Sequence, residues 1–196
     1  MVIGTEVARG AVFAWARRAG VLLASTSALV AACATMAGAQ ARSVGVRGGE
    51  VTVRRTLLKS RELWATIDVC NPTNEPNTVG IRGSMPADGH PQDAMYMRFQ
   101  LQYLNPQGNV WSTPAHGADS GFLAVGAAKA ARQGGSSFQL VAPKGSPGYT
   151  MRGIVTFQWR RAGRVVHEAT RTTSAGHRSV AGADPAGYSA AECTSP

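Results

Sequence analysis

Histidine and aspartate residues lie close together in two loop-like segments of this chain. Asp88, His90 and Asp93 form one group, and His116 and Asp119 form the other. Imidazole and carboxylate groups bind several divalent metal ions, so two such loops at one end of a domain would supply a metal site. Neither spacing matches an established metal-binding motif. We therefore expect no metal and no cofactor, and keep an enzyme with a loop-borne His/Asp metal site as an alternative.

The sequence lacks the motifs of nucleophilic and phosphate chemistry. It contains no Gly-x-Ser-x-Gly elbow, no phosphate-binding glycine loop and no His-Glu-x-x-His zinc motif. Glycoside hydrolysis needs two carboxylates placed on either side of the bond, and the spacing of the 11 acidic residues singles out no such pair. The sequence therefore predicts a protein that is not an enzyme.

An N-terminal export signal is predicted for residues 1–41. Basic residues, including Arg17 and Arg18, precede an apolar run over residues 19–37, and Ala39 and Ala41 occupy the two small positions of a cleavage site. Cleavage there would leave residues 42–196 as a single exported domain. The predicted location is therefore the cell envelope or the extracellular space.

Three alternatives for the N-terminus stay open. The adjacent arginines Arg17 and Arg18 also fit a twin-arginine signal. Residues 30–33 (VAAC) resemble a lipobox, which would make Cys33 a lipidation site. The apolar run is also nearly long enough for an uncleaved membrane anchor. All three alternatives leave residues 42–196 outside the cytoplasm, and the membrane is reached only through the signal or a lipid.

Cys70 and Cys193 are the two cysteines that follow the predicted signal. There is no Cys-x-x-Cys motif, and an even number of cysteines in an exported chain is typical of a disulfide. A bridge would join positions 123 residues apart, and natural bridges of this kind contribute roughly 2–4 kcal/mol. We predict a Cys70–Cys193 disulfide that ties the C-terminal segment to the domain.

The charge of the exported part limits its partners. The whole chain has a formal net charge of +9. Removing the signal takes away Arg9, Arg17, Arg18 and Glu6, which leaves +7. A basic exported protein is attracted to polyanions such as wall polymers. No dense basic run or nucleic-acid-binding motif occurs, so the expected partner is an unidentified protein or a cell-wall polymer and not a nucleic acid.

Period-two alternation predicts strands. In residues 95–103 every second side chain is apolar, and residues 149–160 repeat the pattern, with Gly153 as a bulge or a point of close approach. Residues 161–163 (RAG) fit a three-residue hairpin turn closed by a glycine bulge. Shorter alternating runs cover residues 50–58, 63–70, 79–85, 110–113 and 136–141.

Together these patterns predict an all-β fold, an antiparallel β-sandwich of immunoglobulin-like architecture with about eight strands. A small barrel remains the rival architecture. Residues 117–135 are expected to form a helical turn or a loop. Asp184 and Pro185 predict a short C-terminal turn or helix, in a segment that the disulfide would hold.

Four residues are candidates for a ligand surface: Trp64, Arg98, Arg152 and Arg160. Trp64 lies opposite the apolar face of its own strand and is expected to be exposed. The arginines, together with Arg171, are expected to point outward from the sheet, where guanidinium groups bind acidic ligands. This predicts a binding or structural module. The alternative is a carbohydrate-binding domain that uses Trp64, Trp111 or the loop residues.

The chain also resembles uncharacterised exported proteins of high-GC Gram-positive bacteria. The resemblance rests on residues 79–86 (VGIRGSMP), the strand at 95–103, the hairpin at 151–173, Gly176-His177 and residues 184–193. It implies export and a C-terminal cysteine, and it implies no catalytic residue.

Overall fold

The computed structural model describes residues 46–105, 107, 109–141, 148–177 and 179–195. Within these ranges the chain forms one helix, α1 (Val46–Lys59), and nine strands. The strands are β1 (Trp64–Cys70), β2 (Thr78–Met85), β3 (Ala94–Asn105), β4 (Val110–Ser112), β5 (Asp119–Ala127), β6 (Arg132–Gln139), β7 (Tyr149–Arg161), β8 (Arg164–Thr172) and β9 (Cys193–Ser195).

The strands form two antiparallel sheets, so the predicted all-β sandwich is confirmed. One sheet has the order β1-β2-β6. The other has the order β4-β3-β7-β8, with β5 also paired to β3 and β9 to β7. The long strands β3 and β7 lie side by side from Ala94↔Arg160 to Tyr103↔Met151 and form the centre of the six-stranded sheet.

The core lies between the sheets and comes from alternate residues of the long strands. In β3, Met95, Met97 and Phe99 are fully buried, and in β7 Phe157 and Trp159 are buried with them. A fully buried apolar side chain of this size contributes about 1.5–3 kcal/mol. This burial explains why the two predicted strands were the clearest in the sequence.

Gly153 marks a close approach between the sheets. A Cβ atom at this position would lie 2.8 Å from two atoms of the Ile81 side chain and 2.8 Å from Thr173 Cγ2. The β3–β7 register runs through Gly153 without interruption. Of the two predicted roles for Gly153, close approach is therefore confirmed and a bulge is wrong.

The β7–β8 hairpin is confirmed, but its turn is shorter than predicted. Arg161 pairs with Arg164, so the loop consists of Ala162 and Gly163 alone. Both have positive φ, 47° and 80°, as a type I′ turn requires. The register irregularity lies between Trp159 and Arg160 and not at the glycine.

The predicted strand at residues 50–58 is wrong, because this segment belongs to helix α1. Val53 is half-buried and Leu57 is buried. Their spacing of four residues puts both on one face of a helix, whereas Val51 is 68% exposed. The spacing of Val51, Val53 and Leu57 fits the two-residue period of a strand. The burial of Val53 and Leu57, however, follows the spacing of a helix.

Residues 117–135 form strands and not the expected helical turn or loop. The segment contains β5, which pairs with β3, and it ends in the first residues of β6, which pairs with β2. Small residues dominate β5, and its register against β3 is irregular at two points. The alternation that signals a strand is therefore weak in this segment.

The C-terminal segment, the part of the chain that follows β8, is held by more than the predicted disulfide. Cys70 and Cys193 are bonded, with their Cα atoms 5.6 Å apart. Ile67 exchanges two backbone hydrogen bonds with Ala190, and Asp184 N–H donates to the Asp68 carbonyl. The expected C-terminal turn is present where Tyr188 N–H donates to the Pro185 carbonyl. This segment therefore pairs with the edge of β1 that β2 does not occupy.

The predicted signal at 1–41, its alternatives and Cys33 lie outside the described residues, so they stay predictions. In the described part of the chain, no helix has both the length and the apolar character needed to span a membrane.

Candidate ligand-binding face and histidine clusters

The outer face of the six-stranded sheet brings together arginine and aromatic side chains. Because side chains alternate along a strand, the residues between the core positions of β3 and β7 point outward, and the paired strands β4 and β5 add to the same face. Six residues define this arginine–aromatic face: Tyr96, Arg98, Trp111, Phe122, Arg152 and Arg160.

Arg160 lies over two aromatic rings at once. Its guanidinium carbon is 4.1 Å from the ring centre of Tyr96 and 4.9 Å from that of Phe122. Arg160 also donates two hydrogen bonds to Oε1 of Gln158, whose amide nitrogen donates to Glu168. Stacking and hydrogen bonds together hold the guanidinium flat on the sheet.

Arg152 repeats this arrangement at the other end of the face. Its guanidinium carbon is 4.2 Å from the ring centre of Trp111, and its Nε–H donates to Oε1 of Gln102 at 3.0 Å. Within the described residues, neither Arg152 nor Arg160 forms a direct ion pair. Among these residues no carboxylate in direct contact balances the charge of either guanidinium, and both arginines are partly exposed.

Arg98 differs from these two because a carboxylate neutralises it. Arg98 forms an ion pair with Asp119 through Nε and Nη2, and Gln100 donates to the same carboxylate. These bonds hold the pKa of Asp119 below its ordinary value. Arg98 also lies 5.9 Å from the Phe122 ring centre. Arg98, Arg152 and Arg160 thus share one face, as predicted.

The other two members of the predicted surface lie elsewhere. Trp64 was expected to be exposed and is only 9% exposed, because the C-terminal segment covers its side of β1. Arg171 was expected to point outward with the other arginines. It is paired with the core residue Val155, and its Nη2–H donates to the carbonyl of Leu58 in α1 at 2.6 Å.

Trp64 stacks on His177 beneath this covering segment. The ring centres are 4.6 Å apart and the planes differ by 13°. His177 Nε2 lies 2.9 Å from the hydroxyl of Ser174, and its backbone N–H donates to Ser189. Partial burial lowers the pKa of His177. No orienting partner for this histidine was evident from its neighbours in the sequence, whereas the structure places the Trp64 ring and two hydroxyl groups against it.

The predicted His/Asp loops do not meet. Asp88, His90 and Asp93 immediately precede β3, which begins at Ala94, whereas Ala118 bonds to Leu101 further along the same strand. Seven residues of strand separate these points, roughly 23 Å. A metal site that combines His116 or Asp119 with the first loop is therefore ruled out by the fold.

The first loop nevertheless gathers its three residues. Ligand atoms of Asp88, His90 and Asp93 all lie within 4.8 Å of one another. Burial raises the pKa of Asp88. The bidentate hydrogen bonds from Arg161, both 2.8 Å, lower the pKa of Asp93.

Two residues of the arginine–aromatic face were missed as ligand candidates. Tyr96 alternates with the core residues Met95 and Met97 and so lies on the outward side of β3, but its sequence position does not show that Arg160 of the neighbouring strand lies over its ring. Phe122 lies in the segment that was not predicted as a strand. An aromatic residue at an outward strand position is the signal that would have identified Tyr96.

Comparison with known proteins assigns no family to this chain. No protein-family model and no curated protein matches it. Among solved structures, a glycosyl hydrolase family 2 member from Bacteroides cellulosilyticus matches 59% of this chain and 15% of its own, with 11% identity and a TM-score of 0.33. A putative beta-galactosidase from Bacteroides fragilis matches 58% of this chain and 16% of its own, with 15% identity and a TM-score of 0.30. This chain thus corresponds to a small part of each.

Proposed function

We propose that this protein is a non-enzymatic, exported binding module whose arginine–aromatic face binds an extended anionic glycan of the cell envelope. The observation that carries the proposal is the stacking of Arg152 on Trp111 and of Arg160 on Tyr96 and Phe122. An extracytoplasmic location is supported by the Cys70–Cys193 disulfide, because disulfides persist in oxidising compartments.

The chemistry of the face suits a polymer that has both sugar rings and negative charges. Guanidinium groups donate hydrogen bonds in a fixed plane that matches carboxylate and phosphate oxygens. Stacking on aromatic rings pre-orders that plane and contributes about 0.5–1 kcal/mol at exposed sites. The half-exposed rings also offer apolar edges to a sugar. A broad sheet surface fits an extended chain better than a small molecule.

Binding to immobilised polygalacturonate, with dextran as the uncharged comparison, tests the proposal. We expect salt-sensitive binding to polygalacturonate and much weaker binding to dextran. The variant R152A/R160A should lose at least about tenfold in affinity, since each lost charged hydrogen bond is worth roughly 1.5–3 kcal/mol.

A matched control removes the same charge elsewhere. Arg54 and Arg55 are exposed on α1, and the variant R54A/R55A should bind with an affinity within about twofold of wild type. This is a small difference, because a tenfold change corresponds to about 1.4 kcal/mol. An equal loss in both double variants would show that only net charge matters. Absence of binding to polygalacturonate and to a poly(glycerol phosphate) teichoic acid would refute the anionic-glycan assignment.

A further inference from the structure

The Asp88 side chain has a buried oxygen that the protein does not satisfy. Asp88 is 4% exposed, and its Oδ1 accepts a hydrogen bond from the backbone N–H of His90 at 2.9 Å. Its Oδ2 is buried and has no hydrogen-bond partner among the described residues. Leaving a buried polar atom unpaired costs roughly 1–3 kcal/mol, so a cation that pairs with this oxygen would stabilise the folded protein.

Two neighbouring groups complete a set of metal ligands. Ligand atoms of Asp88, His90 and Asp93 lie within 4.8 Å of one another, and His90 Nδ1 is 4.0 Å from Asp88 Oδ1. Zinc binds imidazole nitrogen and carboxylate oxygen at about 2.0–2.2 Å, so its ligands are at most about 4.4 Å apart. The His90 side chain is 48% exposed, so its ring has room to adjust its position when an ion binds.

Arg161 is compatible with an ion at this position. It donates one hydrogen bond to each oxygen of Asp93, and an ionised carboxylate has about four acceptor sites in all. These two hydrogen bonds therefore leave part of the acceptor capacity of Asp93 for a metal. Arg161 also fixes the orientation of the carboxylate, as groups behind a metal ligand commonly do.

We propose that Asp88, His90 and Asp93 bind one divalent transition-metal ion of the zinc class. The imidazole ligand favours zinc over calcium or magnesium, which prefer oxygen ligands alone. The ion replaces the missing partner of the buried Asp88 oxygen and joins both ends of the loop at residues 88–93. Three protein ligands leave at least one position on the ion for water or another donor.

Titration of the metal-free protein with Zn²⁺ in a calorimeter tests this site, after removal of any affinity tag. We expect one Zn²⁺ per chain, and H90A and D88N should each bind at least tenfold more weakly. That lower limit follows because loss of even an outer-shell partner commonly costs about 10–100-fold. Asp93 is left unchanged because it is the partner of Arg161.

His116→Ala is the matched control, since His116 is also an exposed loop histidine but lies at the other end of β3. H116A should bind Zn²⁺ as wild type does. Circular dichroism of H90A and D88N should match that of wild type and so exclude unfolding as the cause of any loss.

Failure of the wild type to bind Zn²⁺ at 100-fold excess would overturn the proposal, as would unchanged affinity in H90A. Tighter binding of Ca²⁺ than of Zn²⁺ would overturn the assignment of the metal class. The site uses no side chain of the arginine–aromatic face, so H90A and wild type, both without metal, should bind polygalacturonate equally.

Discussion

Trp64 and His177 stack almost parallel, with ring centres 4.6 Å apart, and this contact joins the first strand of the sandwich to the C-terminal segment. Trp64 is in β1, and His177 follows β8. The Thr66 hydroxyl, on the same side of β1 as Trp64, lies 2.8 Å from the hydroxyl of Ser189. The outer face of β1 is therefore a second buried interface and not a solvent surface.

The stack predicts that acid weakens this interface. Partial burial lowers the pKa of His177 in the folded protein, whereas the unfolded chain titrates near the ordinary value of about 6.5. The unfolded state therefore takes up a proton first, and stability falls as the pH drops through that value towards the folded pKa. Urea unfolding between pH 7.5 and 5 should show this fall.

His177→Phe keeps a flat ring against Trp64 and removes the titrating group. We expect the fall in stability between pH 7.5 and 5 to be smaller in H177F than in wild type, and unchanged in the loop variant H116A. An identical pH profile in H177F and wild type would show that His177 does not govern the effect.

Gly153 is predicted to tolerate no side chain. A Cβ there would lie 2.8 Å from Ile81 and Thr173 atoms, and overpacking of a core costs about 1–3 kcal/mol. G153A should therefore lower the free energy of unfolding by that amount. Gly49 is the matched control. It lies in α1 with nothing within 4 Å of its Cβ position, and G49A should stabilise by roughly 0.5–1 kcal/mol. Chemical denaturation of both variants measures these changes in the free energy of unfolding. Equal stability of G153A and G49A would contradict the prediction.

Strands with one face in the core and the other face in solvent could be predicted from the sequence. Met95, Met97 and Phe99 alternate with polar residues because one side of β3 meets the core and the other meets solvent. The same holds for β7. The disulfide was also predictable, since Cys33 lies in the predicted signal and Cys70 and Cys193 are the two other cysteines.

Elements with other burial patterns escaped prediction. β1 is buried on both faces, so Trp64, Thr66 and Asp68 read as a solvent-facing side although the C-terminal segment covers them. That segment is more than 100 residues away in sequence, and its small polar residues give no sign of docking. The Asp88 cluster was visible as a spacing, but burial and the unpaired oxygen depend on packing that the sequence does not reveal.

Loss of the Cys70–Cys193 bridge should destabilise the protein by about 2–4 kcal/mol. The bridge closes a loop across 123 residues, and β9 and the backbone bonds of Ala190 to Ile67 remain without it. The variant C70A/C193A should therefore stay folded at lower stability. Urea unfolding with and without reductant checks this, because reductant should destabilise only the wild type. A midpoint unaffected by reductant in both proteins would contradict the expectation.

Asp119 is predicted to weaken the proposed glycan binding. It forms an ion pair with Arg98 and so cancels one of the three positive charges of the arginine–aromatic face. Asp119→Asn removes that negative charge and keeps a hydrogen-bond acceptor for Arg98. We expect D119N to bind polygalacturonate about two- to fivefold more tightly, which corresponds to the value of up to about 1 kcal/mol for a surface ion pair.

Glu62→Gln provides the control for this gain, because Glu62 is exposed near the end of α1, away from the face, and the substitution changes net charge equally. The affinities of D119N and E62Q for polygalacturonate should differ at low salt and become equal at high salt, since salt screens the charge difference. Equal gains in the two variants would mean that overall charge attracts the polymer. A loss in D119N would mean that Arg98 must be held by Asp119 to contact the ligand, and the face would then depend on the geometry of this ion pair more than on its charge.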